Sequence, residues 1–176
     1  MNRYPTERLY FRDIRPDDLP LVYAGLSHPK VIRHYGISFD SLEATREQMR
    51  WFANLEATQT GKWLALCETA TDRFVGAGGF NGREAAHQKA EIGFWLLPEY
   101  WGNGYMTEAM PRLLEFGFQE LDLHRIEGYV ETDNHACRRA MIKLPFELEG
   151  VMRDCERKDD RWISVALYAA LRPQSS

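Results

Sequence analysis

The sequence predicts a mixed α/β domain, with β-hairpins early and late in the chain and helical crossovers between them. Three observations support this fold class. Short apolar or alternating runs typical of strands recur between stretches with helical spacing. The 176 residues are 44% hydrophobic and 27% charged, which suits one domain with a sizeable core. A largely apolar strand at 90–97 leads through a glycine-rich turn into a helix.

The first half of the chain contains three predicted strands and two predicted helices. Pro16 and the acids that follow it are typical of a helix start. Ser41 is the expected N-cap of the second helix, and Gly61 ends it. Residues 81–88 are polar and indicate a turn. The elements are a strand over 9–14, helices over 17–26 and 41–61, and a hairpin of strands over 63–68 and 74–80.

The second half contains four predicted strands and two predicted helices. Pro111 falls inside the first helix, where proline removes a hydrogen bond and clashes with the preceding turn, at a cost of about 3 kcal/mol. We therefore expect either a kink or a helix that begins only near Thr107. Asp133 or Asn134 can cap the second helix. The elements are strands over 90–97, 125–131, 147–157 and 162–171, and helices over 106–121 and 134–144.

The turn between the strand at 90–97 and the next helix reads Gly102-Asn103-Gly104. Glycines let the backbone approach a ligand closely, and the free N–H groups and dipole of a helix N-terminus favour anions. The turn therefore predicts a phosphate site. It lacks the lysine and hydroxyl of a GxxxxGK[ST] motif, which argues against nucleotide hydrolysis.

Composition argues against several other classes of function. The net charge is -4 and no basic tract stands out, so nucleic acid is not an expected partner. No apolar run is long enough for a membrane span or a signal peptide. The histidines lack metal-ligand spacing, and Cys67, Cys137 and Cys155 lack CxxC spacing. We therefore expect no membrane, no metal and a reducing, cytoplasmic location.

Four stretches, taken in order, carry a family resemblance. They are an opening strand with a following acidic turn, a strand with its glycine loop, a helix with the next strand, and a terminal strand: 9–18, 90–109, 131–150 and 161–169. The set resembles the GNAT superfamily of N-acyltransferases, most closely the branch of the RimJ/RimL-type ribosomal-protein N-terminal acetyltransferases. Three positions depart from the branch: Pro145 replaces a usual glycine, Ser164 replaces a usual aspartate, and Cys137 replaces a usual serine.

The resemblance implies a GNAT fold over a single domain, residues 1–176. As a chain terminus, the tail at 172–176 is expected to fray. Its sheet is expected to be seven-stranded, mostly antiparallel and splayed between the fourth and fifth predicted strands, with about four flanking helices. The donor it implies is acetyl-CoA, held in the splay. The implied partner is an amine acceptor, either a protein N-terminus or a small molecule, and the branch makes a homodimer plausible.

The resemblance also assigns cofactor contacts. The backbone of Phe94, Trp95 and Leu96 is expected to pair with the pantetheine amides, and Asn134 to contact the arm near the sulfur. Lys143, or alternatively Arg138 or Arg139, would meet phosphates of the nucleotide end. The pyrophosphate would rest on the loop residues Trp101, Gly102, Asn103, Gly104, Tyr105, Met106 and Thr107.

Acetyl transfer to an amine needs a base, an oxyanion donor and an acid for the leaving thiolate. Glu156 and Glu91 are the two candidate bases, and either could instead be a salt-bridged or solvent-facing residue. The oxyanion donor is expected on the fourth strand, near Phe94 or Trp95. Many superfamily members use a tyrosine as acid, but Met141 stands at that position. Cys137, where the branch has a serine, is either the acid or a packing residue.

The resulting hypothesis is an acetyl-CoA-dependent N-acetyltransferase that transfers acetyl directly to a primary amine in a ternary complex. The alternative is a catalytically silent acyl-CoA-binding module, because Met141 and Cys137 depart from the expected acids. Family analogy places Tyr35 and Phe39 at the mouth of the acceptor site.

Overall fold

The computed structural model describes residues 2–174 and forms one twisted mixed sheet with helices on both faces. The strands are β1 (Tyr4–Pro5), β2 (Leu9–Asp13), β3 (Lys62–Glu68), β4 (Phe74–Glu84), β5 (Lys89–Leu96), β6 (Arg125–Glu131), β7 (Glu147–Lys158) and β8 (Arg161–Leu171). The α-helices are α1 (Leu19–Leu26), α2 (Pro29–Ile32), α3 (Leu42–Ala57), α4 (Tyr105–Gln119) and α5 (His135–Ile142). The sheet order is β1-β2-β3-β4-β5-β6-β8-β7.

The predicted α/β fold is confirmed, with small differences in count. All seven predicted strands are present, and the two-residue β1 makes eight. The described residues form five α-helices rather than about four, because residues after His28 close a short helix, α2. The expected turn at 81–88 is wrong in its first half, because β4 continues through Glu84 and pairs with β5.

Helix α4 begins at Tyr105, so the expectation of a start only near Thr107 is wrong. Pro111 lies inside the helix and is exposed. The opposite face of α4 is buried, and that burial outweighs the missing hydrogen bond. The buried residues are Ala109, Met110, Leu113, Leu114, Phe116 and Gly117.

Two apolar cores lie on opposite faces of the sheet. One packs α4 and α5 against the face that carries Leu64 and Leu96. The other packs α1 and α3 against the face that carries Trp63 and Trp95. Successive strand residues point to opposite faces, so each core draws on alternate positions of the same strands.

The sheet opens between β5 and β6, as predicted. The two strands run parallel and pair only from Lys89 to Glu91 on β5 and from Arg125 to Glu127 on β6. Beyond Glu91, β5 remains paired with β4 through Leu96, while β6 pairs with β8 through Glu131. The strands therefore separate and leave a cleft between them.

The C-terminal tail is held at its first residue. The Arg172 backbone N–H donates to the His124 carbonyl at 2.8 Å, and its guanidinium donates to Leu123 O and Asp122 Oδ1. The tail was expected to fray from residue 172 onwards, and that expectation is wrong at Arg172. Ser175 and Ser176 lie outside the described residues.

Candidate active site

The cleft between β5 and β6 has a volume of about 810 Å³ and is lined by residues of both strands. Its inner half is lined by β5, α4 and α5, including Phe94, Met106 and Cys137. Its outer half is lined by α3 and the segment before it, including Tyr35 and Gln48. One continuous space therefore reaches residues expected at the donor and residues expected at the acceptor.

The open edge of β5 presents the backbone of alternate residues. Leu97 N–H donates to Val75 O on β4 at 2.9 Å, and in an antiparallel pair the bonded positions alternate. Trp95, opposite Ala77, therefore directs its backbone groups to β4. The expected pantetheine contact through the Trp95 backbone is wrong for this reason. The backbone groups of Phe94 and Leu96 point away from β4, and Phe94 lines the cleft.

Leu96 has one of its backbone groups already engaged. Its carbonyl accepts a hydrogen bond from Trp101 Nε1 at 2.9 Å. The indole of Trp101 thereby ties the end of β5 to the start of the glycine loop. The Phe94 N–H and C=O and the Leu96 N–H are the groups that remain at the open edge for the amides of a bound arm.

The glycine loop presents a row of unpaired backbone donors. Gly102 and Gly104 have φ angles of 78° and 75°, which side-chain-bearing residues rarely adopt. Along the chain from Gly102, the first backbone N–H that has an acceptor is that of Glu108, which donates to Gly104 O at 3.0 Å. Within residues 2–174, no group accepts a hydrogen bond from the six N–H groups of 102–107. Six donors at a helix N-terminus fit a pyrophosphate.

Arg8 fixes this loop from the other end of the chain, and sequence reasoning did not identify it. Its Nε donates to Glu108 Oε2 at 2.6 Å, and its Nη2 donates to Asn103 O at 2.9 Å. The guanidinium also lies 4.9 Å from the centre of the Tyr105 ring. The sequence could not indicate this role, because Arg8 approaches the loop only in the folded protein.

Asn134 and Cys137 begin α5 at the inner wall of the cleft. The Cys137 backbone N–H donates to Asn134 Oδ1 at 3.1 Å, so Asn134 is the N-cap, as predicted. Both residues line the cleft. Burial raises the pKa of the Cys137 thiol to about 11, so the thiol is protonated at neutral pH.

Glu91 is the carboxylate at the point where the two strands separate. It lines the cleft, and burial among the cleft walls raises its pKa above the usual carboxyl range, although the side chain is open to the cleft. A polar contact from Asn81 lowers this pKa, while the negative charges of Glu127 and Glu156 raise it. No described Lys or Arg forms an ion pair with Glu91.

The neighbouring carboxylates are placed differently. Glu131 accepts from Lys158 Nζ at 3.3 Å and lies 2.8 Å from His34 Nδ1. Glu127 lies 2.8 Å from Arg125 Nε. Glu156 is exposed on β7 and does not line the cleft, although its charge acts on Glu91. Of the two predicted bases, Glu91 is the one that faces the cleft.

Lys143 lies at the end of α5 opposite Asn134, and its side chain is exposed and outside the cleft lining. Its predicted role at the nucleotide phosphates stays a prediction. Among residues 2–174, no cluster of three or more His, Cys, Asp or Glu side chains is arranged to bind a metal ion. Within the same range, no helix combines the length and apolar character that a membrane crossing requires.

Comparison with known sequences settles the family. A profile of the Acetyltransferase (GNAT) domain matches residues 8–147, which contain β5, the glycine loop and Asn134. The chain belongs to the GNAT acetyltransferase family. This GNAT protein is therefore an acyltransferase, and its donor is acetyl-CoA, which fits the six free N–H groups and the splayed strand.

Among its relatives, this GNAT protein is 31% identical over 170 residues to an uncharacterized N-acetyltransferase, YoaA, of Bacillus subtilis, with 96% of each chain covered. It is 30% identical over 131 residues to the ribosomal-protein-serine acetyltransferase of Escherichia coli, covering 74% of this chain and 72% of the relative. The resemblance to the RimJ/RimL-type branch is thereby confirmed.

Among solved structures, the fold is similar to that of spermidine N-acetyltransferase from Vibrio cholerae in complex with CoA and spermine. The TM-score is 0.84, the sequence identity is 18%, and the match covers 93% of this chain and 95% of the other. At this identity the likeness concerns the fold alone.

Proposed function

We propose that this GNAT protein transfers acetyl from acetyl-CoA directly to a primary amine while both are bound in the cleft. The observation that carries the proposal is the position of Glu91. It is a carboxylate without a cationic partner among the described residues, and it stands where the strands part, in the same cleft as the open edge of β5. Acetyl-CoA supplies an acetyl thioester, which is open to attack by an amine.

Glu91 is the base in this proposal. An amine acceptor arrives protonated at neutral pH and must lose a proton to become a nucleophile. The raised pKa of Glu91 makes it a better proton acceptor than an ordinary carboxylate, either directly or through a water. Glu156 acts through its charge on Glu91.

Backbone and thiol groups on the inner wall complete the proposed machinery. The Phe94 N–H is the proposed donor to the thioester oxygen as negative charge develops there, which leaves the Phe94 C=O and the Leu96 N–H for the amides of the arm. Cys137 is the proposed proton donor to the departing thiolate. Its raised pKa keeps it protonated but makes it a weaker acid than an ordinary thiol.

The acceptor is either a protein N-terminus or a small-molecule amine. A relative is described as a ribosomal-protein-serine acetyltransferase, and a solved structure of similar fold is described as a spermidine N-acetyltransferase. The described residues that line the cleft include Glu47, Glu91 and Glu131 and no lysine or arginine. This acidic lining favours an acceptor that approaches as a cation.

A two-step experiment tests the proposal. Thermal unfolding is measured with acetyl-CoA and with ATP, because a ligand at 100 times its Kd stabilises the folded state by about 2.7 kcal/mol. Acetyl-CoA should raise Tm and ATP should not. Release of the CoA thiol is then followed with a panel of amines. Stabilisation without thiol release from any amine would indicate the silent binding module, and no stabilisation would overturn the proposal.

A homodimer and a cytoplasmic location complete the proposal as predictions. Light scattering on the purified chain should give twice the monomer mass.

The location is tested separately. The three cysteines are free, which is what a reducing compartment maintains. Thiol titration of protein from its native host should therefore give three thiols per chain.

A further inference from the structure

The outer half of the cleft contains a polar group that the proposed chemistry does not use. Residues Glu47, Gln48 and Trp51 line it from α3, at the spacing of one helical face. Phe52 and Leu55, one and two turns further along the same side of α3 as Gln48, pack into the core. Helix α3 is therefore a fixed wall of the acceptor side.

Gln48 is the unusual member of this wall. Four polar or charged residues in the described chain are buried: Arg12, Asp18, Thr45 and Gln48. Arg12 and Asp18 form an ion pair, and Thr45 Oγ1 donates to Ser41 O. Gln48 is 5% exposed, and its amide has no hydrogen-bond partner within residues 2–174.

The amide of Gln48 nevertheless reaches the cleft. Its residue lines the cleft, and neither amide atom is among the fully enclosed unpaired atoms of the described residues. Buried polar groups in native proteins are almost always hydrogen-bonded. An amide that is unpaired within the protein, on a residue that lines a ligand cleft, therefore indicates a polar group of the ligand.

The surroundings of Gln48 define the rest of that ligand. The indoles of Trp51 and Trp63 have ring centres 6.1 Å apart and line the same space with Tyr35. These rings offer an apolar surface. Glu47 and Glu91 add negative charge, which favours an ammonium and disfavours a carboxylate.

We propose that Gln48 determines acceptor specificity by binding an uncharged hydrogen-bonding group, such as a carboxamide, a few bonds from the reacting amine. The inference rests on the proposed function and narrows its acceptor. The acceptor class is a primary amine with an apolar body and a neighbouring carboxamide or similar group. Plain alkylamines and free amino acids lie outside it.

Three matched amines test the class: phenylalaninamide, 2-phenylethylamine and phenylalanine. The wild-type protein should acetylate phenylalaninamide with a kcat/KM at least tenfold above that for 2-phenylethylamine, because a site built to bind a polar group discriminates against the analogue without it. Phenylalanine should be the poorest acceptor, because its carboxylate faces Glu47 and Glu91.

Gln48→Leu tests the residue. It should lower kcat/KM for phenylalaninamide about tenfold and leave that for 2-phenylethylamine within twofold, while Tm stays at or above the wild-type value because an unpaired buried amide is removed. Gln119→Leu is the control, since Gln119 is exposed on α4, and it should change neither rate.

The outcomes separate this inference from the proposed function. Equal loss with both amines in Gln48→Leu, or no loss with either, would overturn the role of Gln48. Stabilisation by acetyl-CoA without acetylation of any of the three amines would overturn the acceptor class. Failure of acetyl-CoA to stabilise the protein would instead overturn the proposed function itself.

Discussion

Trp63 packs against Gly93 so closely that a side chain on β5 at this position has no room. A Cβ on Gly93 would lie 2.5 Å from Trp63 Cζ2 and 2.6 Å from Cη2, and 3.5 Å from the Tyr35 hydroxyl. Carbon atoms 2.5–2.6 Å apart repel strongly, whereas 3.5 Å is an ordinary contact. Gly93 therefore lets the indole from β3 form the floor of the cleft beside Glu91.

Gly93→Ala should destabilise the protein by about 1–3 kcal/mol, the usual cost of an overpacked core. Chemical denaturation measures it. Gly150→Ala is the control, because nothing lies within 4 Å of a Cβ there, and it should be neutral within about 0.5 kcal/mol. In a Trp63→Leu background the cost of Gly93→Ala should shrink, and an unchanged cost would show that the indole is not its cause.

The acid limb of the pH–rate profile should belong to Glu91. Since burial raises its pKa above the usual carboxyl range, activity should fall at a higher pH than an ordinary glutamate would give. Glu91→Gln should lower kcat/KM about 100-fold and abolish this limb.

Glu156→Gln provides the contrast. Because the charge of Glu156 raises the pKa of Glu91, its removal should move the acid limb to lower pH and change the maximal rate less than threefold, an order-of-magnitude expectation for an indirect electrostatic effect. A larger loss in Glu156→Gln than in Glu91→Gln would reverse the assignment.

Glu91 should also weaken the fold at neutral pH. Its folded-state pKa is raised, so its stabilising contribution is complete below the unfolded-chain pKa and is lost as pH rises through the folded-state pKa. Glu91→Gln should therefore raise Tm at pH 7.5 more than at about pH 4, because an ordinary glutamate is ionised at the higher pH and largely protonated at the lower one. A uniform shift at both pH values would count against the desolvated carboxylate.

Arg8 should affect the donor and not the acceptor. Arg8→Gln removes the contacts to Glu108 and Asn103 that hold the glycine loop. KM for acetyl-CoA should rise about tenfold, as expected when a binding loop loses its fixed geometry, with little change in KM for the amine. Arg46→Gln, which breaks an exposed pair within one helix, is the control. Equal changes in both KM values would indicate general misfolding.

Cys137 should react slowly with iodoacetamide. A thiol pKa of about 11, against 9.0 for an unperturbed thiol, leaves about 100-fold less thiolate at neutral pH. Mass spectrometry should show Cys155, which is exposed on β7, modified first. Acetyl-CoA should slow the reaction of Cys137 further and leave Cys155 unchanged. Fast, unprotected labelling of Cys137 would place it outside the donor site.

The sequence revealed the parts of this protein that are local in the chain. The strand before Gly102, the helix after Gly104 and the cap at Asn134 all follow from short-range spacing and turn chemistry. The resemblance to the GNAT family added their order and the splay. Pro111 led to a wrong prediction of where α4 begins, because burial of one helix face outweighed the local cost of an interior proline.

Contacts between residues far apart in the chain could not be predicted from the sequence. Arg8 and Glu108 are 100 positions apart, and Gln48 resembles any polar residue on an amphipathic helix until its lack of a partner is seen. The choice between Glu91 and Glu156 also required the fold. Both are charged residues on strands, and only the divergence of β5 from β6 shows which one faces the cleft.

The glycine loop has a consequence for how this protein could change over time. Its six free donors belong to the main chain, so most substitutions in the loop, other than those at Gly102 and Gly104, leave them in place. The acceptor wall that we propose consists instead of individual side chains of α3. On that proposal, mutation can alter which amine is recognised one residue at a time, while binding of the acyl donor is retained with the fold.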